Sequence, residues 1–550
     1  MKLSRIRIQN FRSIKEFDFK PSDYCVVVGE NNAGKTNILR ALSIILGDAW
    51  PSERSFSEDD FHNNDTAQDI VIQVFFDQVR EEWHNGVQVQ VAGFELRCKA
   101  YKRRVGSKPA GSLKTDFVPL SPKGEPILVP ASPLRKGEKY TGQWLPMRVN
   151  SELREGVPFI YVDVMREYDR QQPSSRWSIL RRLFDAVNTE FLNSKEQVAF
   201  TLPDGTKTKL TRKEAYERRV TEAYDFLRTQ SFVEIEQKLA ANTIEQMGIE
   251  PGEGNISMHF ETHDPTHVYK SLQLFVEQMG ITSSATDVGA GLQSAIVLGI
   301  FRTYEELKKS GAVFAIEEPE VFLHPQKARY FASILKRLTE SGNQVFVTTH
   351  SPIFVPIDTP EAVFIARRTA DSGTKVFQSS QVDMNLSDRQ ALRLMSEFDA
   401  QRNELFFARK IILVEGNTEK VALPLIFRRL NIDINRAGIS VIECGGKTKL
   451  LLFAKVATAF AIPFVILADE DLRPTMKADD RPKHERWNEQ LRQCCPTDRL
   501  FFMKPTFEAE ACLPDDDSEK LDQALKFCQE VPPDKIPAII KQAINKLVNL

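Results

Sequence analysis

The chain has 550 residues, 42% of them hydrophobic, with 73 basic against 75 acidic side chains and a formal net charge of −2. Such a length calls for several domains with sizeable cores, and the near-neutral balance excludes a protein held to nucleic acid by its overall charge. No apolar run reaches the ~18 residues of a membrane span and Met1 to Arg7 has no apolar signal core, so a soluble cytoplasmic protein is expected. Seven cysteines without C-x-x-C spacing argue against a disulfide framework or a structural zinc site.

Leu3 to Ile14 alternates apolar and polar residues, as a half-buried strand does, and Phe17 to Phe19 predicts a second. The apolar run Cys25-Val26-Val27-Val28 then leads into Gly29-Glu30-Asn31-Asn32-Ala33-Gly34-Lys35-Thr36, which has the spacing G-x-x-x-x-G-K-[ST]. Glycines at both ends let the backbone N–H groups wrap a phosphate around Asn31 and Asn32. Lys35 reaches the β and γ oxygens, and the Thr36 hydroxyl is a Mg²⁺ ligand. Asn37 to Leu42 continues at helical spacing, so a positive helix N-terminus faces the phosphates. Alternation returns at Asp69–Phe76, Val87–Val91 and more weakly at Phe94–Lys102, predicting antiparallel strands. Residues 105–150 read as loops around short strands. After a strand at Pro158–Val164 the pattern is helical from 176 to 247, where Leu180, Leu183, Phe184, Val187 and Phe191 share one face. Tyr224, Leu227, Phe232, Ile235 and Leu239 share another. This block either packs on its own domain or is a dimerisation arm. The basic runs Tyr101–Arg104 and Arg176–Arg182 are candidates for phosphate contact, with solvated faces the simpler reading.

Thr286 to Ser294 opens a long apolar helix, and Gly289 and Gly291 place backbone N–H groups at its start. Ala312 to Glu320 is a buried strand ending in acids, and Val345 to Pro352 is another ending at His350. Acids at the carboxyl edge of parallel strands are where open α/β sheets bind ligands. This ordered set resembles an ABC-type ATPase of the SMC/RecF-like branch over roughly residues 1–380. Gly29–Thr36 matches Walker A, Val288–Gln293 a divergent signature motif, Glu317-Glu318 the Walker B end, Leu323-His324-Pro325 the D-loop region and His350 the switch histidine. The resemblance implies ATP as ligand, Thr36 and Glu317 holding Mg²⁺, Glu318 orienting the attacking water and His350 sensing the γ-phosphate. It also implies a homodimer, because such heads bind two nucleotides between them. Glu317 stands where an Asp is usual, and the signature lacks its usual Leu-Ser opening.

Leu386 to Ala408 reads as a linker helix. Beyond it Lys410–Val414 is a continuous apolar run that ends in Glu415-Gly416, with Glu419 one turn on, and Phe464–Ala468 repeats the device before Asp469-Glu470-Asp471. Carboxylates at this density repel unless a cation joins them, and hard oxygen ligands select Mg²⁺ or Mn²⁺. With Gly445-Gly446-Lys447 after the strand Ile439–Glu443, the set resembles a Toprim domain. The resemblance implies Glu415, Glu419, Asp469 and Asp471 as metal ligands. It implies a further acid, Glu510 with Glu508 as the alternative, and a lysine near the scissile phosphate, for which Lys535 is the match.

The expected fold is thus α/β: an ATPase head in two parts, 1–170 and 249–384, interrupted by a helical insertion at 171–248, then a linker helix at 385–408 and a Toprim domain at 409–550. In that order the parts resemble the OLD-family ATP-dependent endonucleases, members of which serve as phage-defence effectors. The resemblance implies metal-dependent DNA cutting by a homodimer or higher oligomer, with a further defence-system protein or nucleic acid as an added partner and no membrane. The alternative is a RecF/SMC-like DNA-binding ATPase in repair with a non-catalytic Toprim part. A topoisomerase is disfavoured, since residues 409–550 contain no tyrosine to form the covalent link.

Overall fold

The computed structural model describes the chain except residues 48, 102–110, 134–140, 165–171, 176–177, 203, 248–264, 279, 308–310, 322, 370–372, 379–389, 391–399, 474–479 and 514–519. It forms two compact units, Met1–Met165 with Lys308–Leu550, and Arg166–Leu307.

The first unit holds an eleven-stranded sheet. Its strands are β1 (Leu3–Phe11), β2 (Ile14–Phe19), β3 (Tyr24–Gly29), β4 (Ile70–His84), β5 (Val87–Ala100), β6 (Leu113–Leu120), β7 (Phe159–Val162), β8 (Val313–Glu317), β9 (Gln344–Thr348), β10 (Val363–Thr369) and β11 (Gly373–Gln378). Their order is β6-β5-β4-β1-β2-β11-β10-β3-β9-β8-β7. The alternation predicted for β1 is realised: Ile6 and Ile8 are buried while Arg5 and Arg7 reach solvent. β3 is buried from Cys25 to Gly29, as a strand with neighbours on both sides requires. It lies parallel between β9 and β10, and β9 is parallel to β8. The carboxyl ends of β3, β9 and β8 therefore adjoin, and these are the ends that carry Gly29, His350 and Glu317. Helix α1 (Lys35–Leu46) follows the loop after β3 and buries Ile38, Leu39, Leu42, Ile45 and Leu46. Its carboxyl end is met by the buried Arg154, whose guanidinium donates to the carbonyls of Gly47 and Ala49, a favourable place for a cation.

The same unit holds a second sheet of four strands, β12 (Lys410–Val414), β13 (Ile439–Glu443), β14 (Phe464–Asp469) and β15 (Leu500–Met503), in the order β13-β12-β14-β15 and all parallel. Helices α2 (Asn417–Arg429) and α3 (Lys447–Ala459) follow β12 and β13. β12 and β14 are neighbours, so Glu415, just past β12, and Asp469, the last residue of β14, arrive on one edge.

The second unit is less helical than the sequence predicts. Within the stretch 176–247 expected to be helical, helices at Ile179–Asn193, Arg212–Asp225 and Gln230–Met247 are joined by a hairpin pairing Gln197–Thr201 with Lys207–Thr211; outside it a second hairpin pairs Phe275–Gln278 with Ile281–Ser284. The physical reason is local: Gly205 takes φ 85° in the first turn, and Gly280 takes φ 77° in the second. Most of the predicted linker helix, much of the basic run at 101–104 and Arg176 lie outside the described residues; the described end of the linker, Ala400–Phe406, is a 3₁₀ turn. Among the described residues no helix is long and apolar enough to cross a membrane.

Candidate functional site

The loop after β3 is held from both flanks. Gly34 has φ 94°, and a Cβ there would stand 2.3 Å from Thr374 Oγ1 and 2.5 Å from Ser13 Oγ. Those two hydroxyls brace the loop: Thr374 donates to the Ala33 carbonyl and accepts from the Ser13 hydroxyl, and Asn37 Nδ2 donates to Ser13 Oγ. Gly29 likewise abuts the Ala366 carbonyl of β10. Only glycine satisfies both positions.

Within this cradle Lys35 is buried and folded back, donating to the carbonyls of Gly29 (3.0 Å) and Glu30 (3.2 Å) and to His350 Nε2 (2.8 Å). Burial lowers the pKa of Lys35 against the pull of Glu318 and Glu320, and burial with the nearby Lys35 lowers that of His350. The His350 N–H donates to Glu318 Oε2 (3.0 Å) and Glu320 Oε1 (2.7 Å), so the acids of one strand end and the histidine of the next are one network. Burial, with the hydrogen bond that the protonated Glu318 donates to Glu320 second, raises the Glu318 carboxyl to about 8. Glu317 is buried and accepts from Tyr161 Oη at 2.9 Å. Asn31, Asn32 and Thr36 are exposed at the loop and the first turn of α1. Glu320, which carries no role in the sequence reading, joins this network because the turn Glu318–Glu320 doubles back. Glu318 sits at φ 43° and its N–H donates to the Thr348 carbonyl. Gly289 and Gly291 belong to the second unit, where Gln293 Nε2 donates to the carbonyls of Thr286 and Val288, and a Cβ at either glycine meets nothing within 4 Å.

In the second sheet, Glu415 Oε1 accepts the Asp469 N–H at 2.9 Å, and Asp469 Oδ1 accepts the Phe507 N–H at 2.9 Å. Glu419 is buried on the first turn of α2. Asp471 takes φ 59° and accepts from Lys447 Nζ at 3.0 Å, which also lies 3.8 Å from Glu415 Oε1. Burial is the first cause that raises Asp469 to about 9 and Glu415 to about 7, and it raises Glu419 too. Mutual repulsion among Glu415, Glu419, Asp469, Asp471 and Glu508 adds to the Asp469 shift. These acids are close enough to feel one another, yet among the described residues no three stand in ready ligating geometry. Backbone N–H groups and Lys447 occupy their lone pairs instead. Every donor is a carboxylate oxygen, and burial raises Glu415 and Asp469 toward their neutral forms, so the chemistry of the set fits a hard divalent ion.

Two predicted residues stand elsewhere. Thr506 caps the short helix Phe507–Glu510, turning Phe507 and Glu508 inward, so it is Glu508 whose charge bears on Asp469 and Glu419. Glu510 instead accepts the Lys504 N–H. Lys535 ends an exposed 3₁₀ turn, and the lysine that touches the acids is Lys447, at the start of α3. The Gly-Gly-Lys turn signalled a tight connection but not that its lysine points into the acids.

The two sheets and their strand-end residues define an ATPase head joined to a Toprim nuclease domain. The profile of the AAA ATPase domain matches residues 1–126 and 155–355, and that of the overcoming lysogenization defect protein-like TOPRIM domain matches 406–471. The OLD nuclease of Thermus scotoductus is 32% identical to this chain, the alignment covering 98% of each. The Old nuclease of Escherichia phage P2 is 22% identical over 86% of this chain and 77% of its own, and endonuclease GajA of Bacillus cereus 20% identical over 86% and 75%. The chain belongs to the OLD nuclease family. It is a nuclease with an ATPase half, and membership implies the use of a nucleotide and a divalent metal.

Proposed function

We propose that this nuclease is a DNA endonuclease that cuts with Mg²⁺ or Mn²⁺ in its Toprim half, under the control of ATP bound at Gly29–Thr36, and that it acts in the cytoplasm as an anti-phage effector. The observation that carries the reading is the convergence of Glu415, Asp469 and Asp471 on one sheet edge, with Glu419 and Glu508 near enough for their charges to bear on Asp469. Bound there, the divalent ion supplies the charge that acidifies the attacking water and neutralises the leaving oxygen. Asp469 and Glu415 release their protons as they become ligands. The Lys447 ammonium, now 3.0 Å from Asp471, would be the group to meet a non-bridging phosphate oxygen, a task for which Lys535 is the other candidate. In the ATPase half Lys35 exchanges its carbonyl and histidine partners for the β and γ oxygens, Thr36 and Glu317 hold the accompanying Mg²⁺, and Glu318 orients water once its proton is gone.

Relation to a phage-encoded nuclease and to GajA supports the defence role. A homodimer is supported by apolar residues of the second unit left in solvent, Phe226 at 87% and Ile235 at 61% exposure. Nicking of supercoiled plasmid with Mn²⁺ tests the reading. Asp469→Asn keeps an acceptor for the Phe507 N–H, so the domain folds, and cutting should fall at least ~100-fold, the scale of lost electrostatic stabilisation at one group. Undiminished cutting by Asp469→Asn and Asp471→Asn would refute the assignment.

A further inference from the structure

Beside the phosphate loop lies an open cleft of about 600 Å³, within the size range of small-molecule sites. One wall is the ATPase: Glu30 and Asn32 of the loop, His62, whose Nδ1 donates to the Arg12 carbonyl, and Arg367 of β10. The opposite wall is Phe406–Arg409 with Pro463, the segment that enters the Toprim sheet. The two walls are tied: Arg409 pairs with Glu30, and Arg367 donates to the Ala461 carbonyl at 3.2 Å. Phe406 is buried, stacked edge-on against Phe460, whereas Phe407 is half-buried and lines the cleft. A concave site next to a phosphate cradle, with an aromatic ring, three arginines (Arg367, Arg368 and Arg409) and loop amides, has the chemistry that receives a nucleoside.

We propose that this cleft seats the base and ribose of the nucleotide whose phosphates occupy Gly29–Thr36, so that the ligand is clasped between the ATPase and the entrance of the nuclease domain. The inference rests on the nucleotide reading above and adds to it the Toprim wall. Its consequence is regulatory. Arg409 is followed directly by β12, and the N–H groups of Arg409 and Lys410 donate to the Gly438 carbonyl at 2.9 and 3.2 Å, so the cleft wall is locked to that sheet. Glu415 follows the last residue of that five-residue strand, about 20 Å from Arg409 at the usual rise. A nucleoside pressing on Phe407 and Arg409 thus acts on one end of a rigid rod whose other end carries a candidate metal ligand.

The test compares ATP with inorganic tripolyphosphate, which fills the cradle and lacks a nucleoside, on the full chain. Phe407→Ala should weaken ATP binding about tenfold, the size of one lost aromatic–base contact, and leave tripolyphosphate binding unchanged, while Phe407→Tyr restores ATP affinity. Equal affinities of Phe407→Ala and the parent chain for ATP, or equal losses for both ligands, would overturn the clasp. Should Phe407→Ala fail to fold, hydrogen exchange of the parent chain decides. ATP, and not tripolyphosphate, should slow the amides of residues 407–410; protection confined to 29–36 with both ligands overturns the clasp while the nucleotide site stands. Failure of either ligand to bind the parent chain overturns the nucleotide reading itself and the clasp with it.

Discussion

At Gly34 the smallest side chain decides whether the phosphate loop exists. Its left-handed backbone costs any other residue of order 1 kcal/mol, and the Cβ of an alanine would meet Thr374 Oγ1 at 2.3 Å. Relief requires Thr374 and Ser13 to move, which undoes the bonds that hold the Ala33 carbonyl and Asn37. Gly34→Ala should therefore abolish measurable ATP binding by calorimetry while plasmid nicking with Mn²⁺ in the absence of nucleotide persists. Retained ATP affinity would show that the hydroxyl brace is dispensable. In the other half the telling residues are Asp469 and Glu415, raised to about 9 and about 7 from ordinary values of ~3.9 and ~4.3. The folded chain keeps protons that the unfolded chain has lost, so these groups favour folding below pH ~4 and that support disappears as pH rises through 7 and then 9. A divalent ion replaces the protons and removes the penalty. The rise in unfolding temperature on adding Mn²⁺ should thus be larger at pH 8.5 than at pH 6, and an equal rise at both would mean that the acids are not its ligands.

At the scale of elements, the devices legible in the sequence were those in which the residue type and its place in the chain coincide. Buried strands ending in Gly29, Glu317, His350, Glu415 and Asp469 announced themselves because a parallel sheet puts functional groups at carboxyl ends, and the register of β3, β9 and β8 then brings three of them together. What stayed hidden depends on where a turn aims a side chain. The hairpin at 197–211 was masked by flanking helical periodicity, though its Asp204-Gly205 turn was in plain view. Glu508 and Glu510 differ by half a helical turn, and only the Thr506 cap decides which faces the acids. Lys447 is the sharpest case. Gly446 takes φ 113° just before α3 and delivers the lysine into the acid cluster, where its side chain is 4% exposed. Removing one partner from a buried charge pair costs ~3–5 kcal/mol, and with Asp471 26% exposed the low end applies, so Lys447→Met should lower metal-free stability by about 3 kcal/mol in chemical unfolding. Mn²⁺ should stabilise the variant more than it does the parent chain, because it restores the missing charge. A variant as stable as the parent without metal would show that Lys447 is a bystander.

For the whole molecule, the grouping of chain segments makes a thermodynamic claim. Residues 1–165 and 308–550 form one compact unit that contains both the phosphate loop and the Toprim acids, and Arg409–Glu30 and Arg367–Ala461 join the two sheets within it. If these contacts make the unit unfold as one, a ligand bound at either site protects the other, since any molecule that binds only the folded state stabilises whatever unfolds with its site. At a hundredfold excess over its dissociation constant each ligand contributes ~2.7 kcal/mol, which for a unit of this size moves the midpoint by about 3 °C. Scanning calorimetry of the full chain should then show a single transition that ATP and Mn²⁺ each raise, with the two shifts adding when both are present. Separate transitions, one moved by ATP alone and the other by Mn²⁺ alone, would mean that the two sheets unfold independently, and the nuclease would then have to receive the nucleotide's signal by a route other than the joint at Arg409.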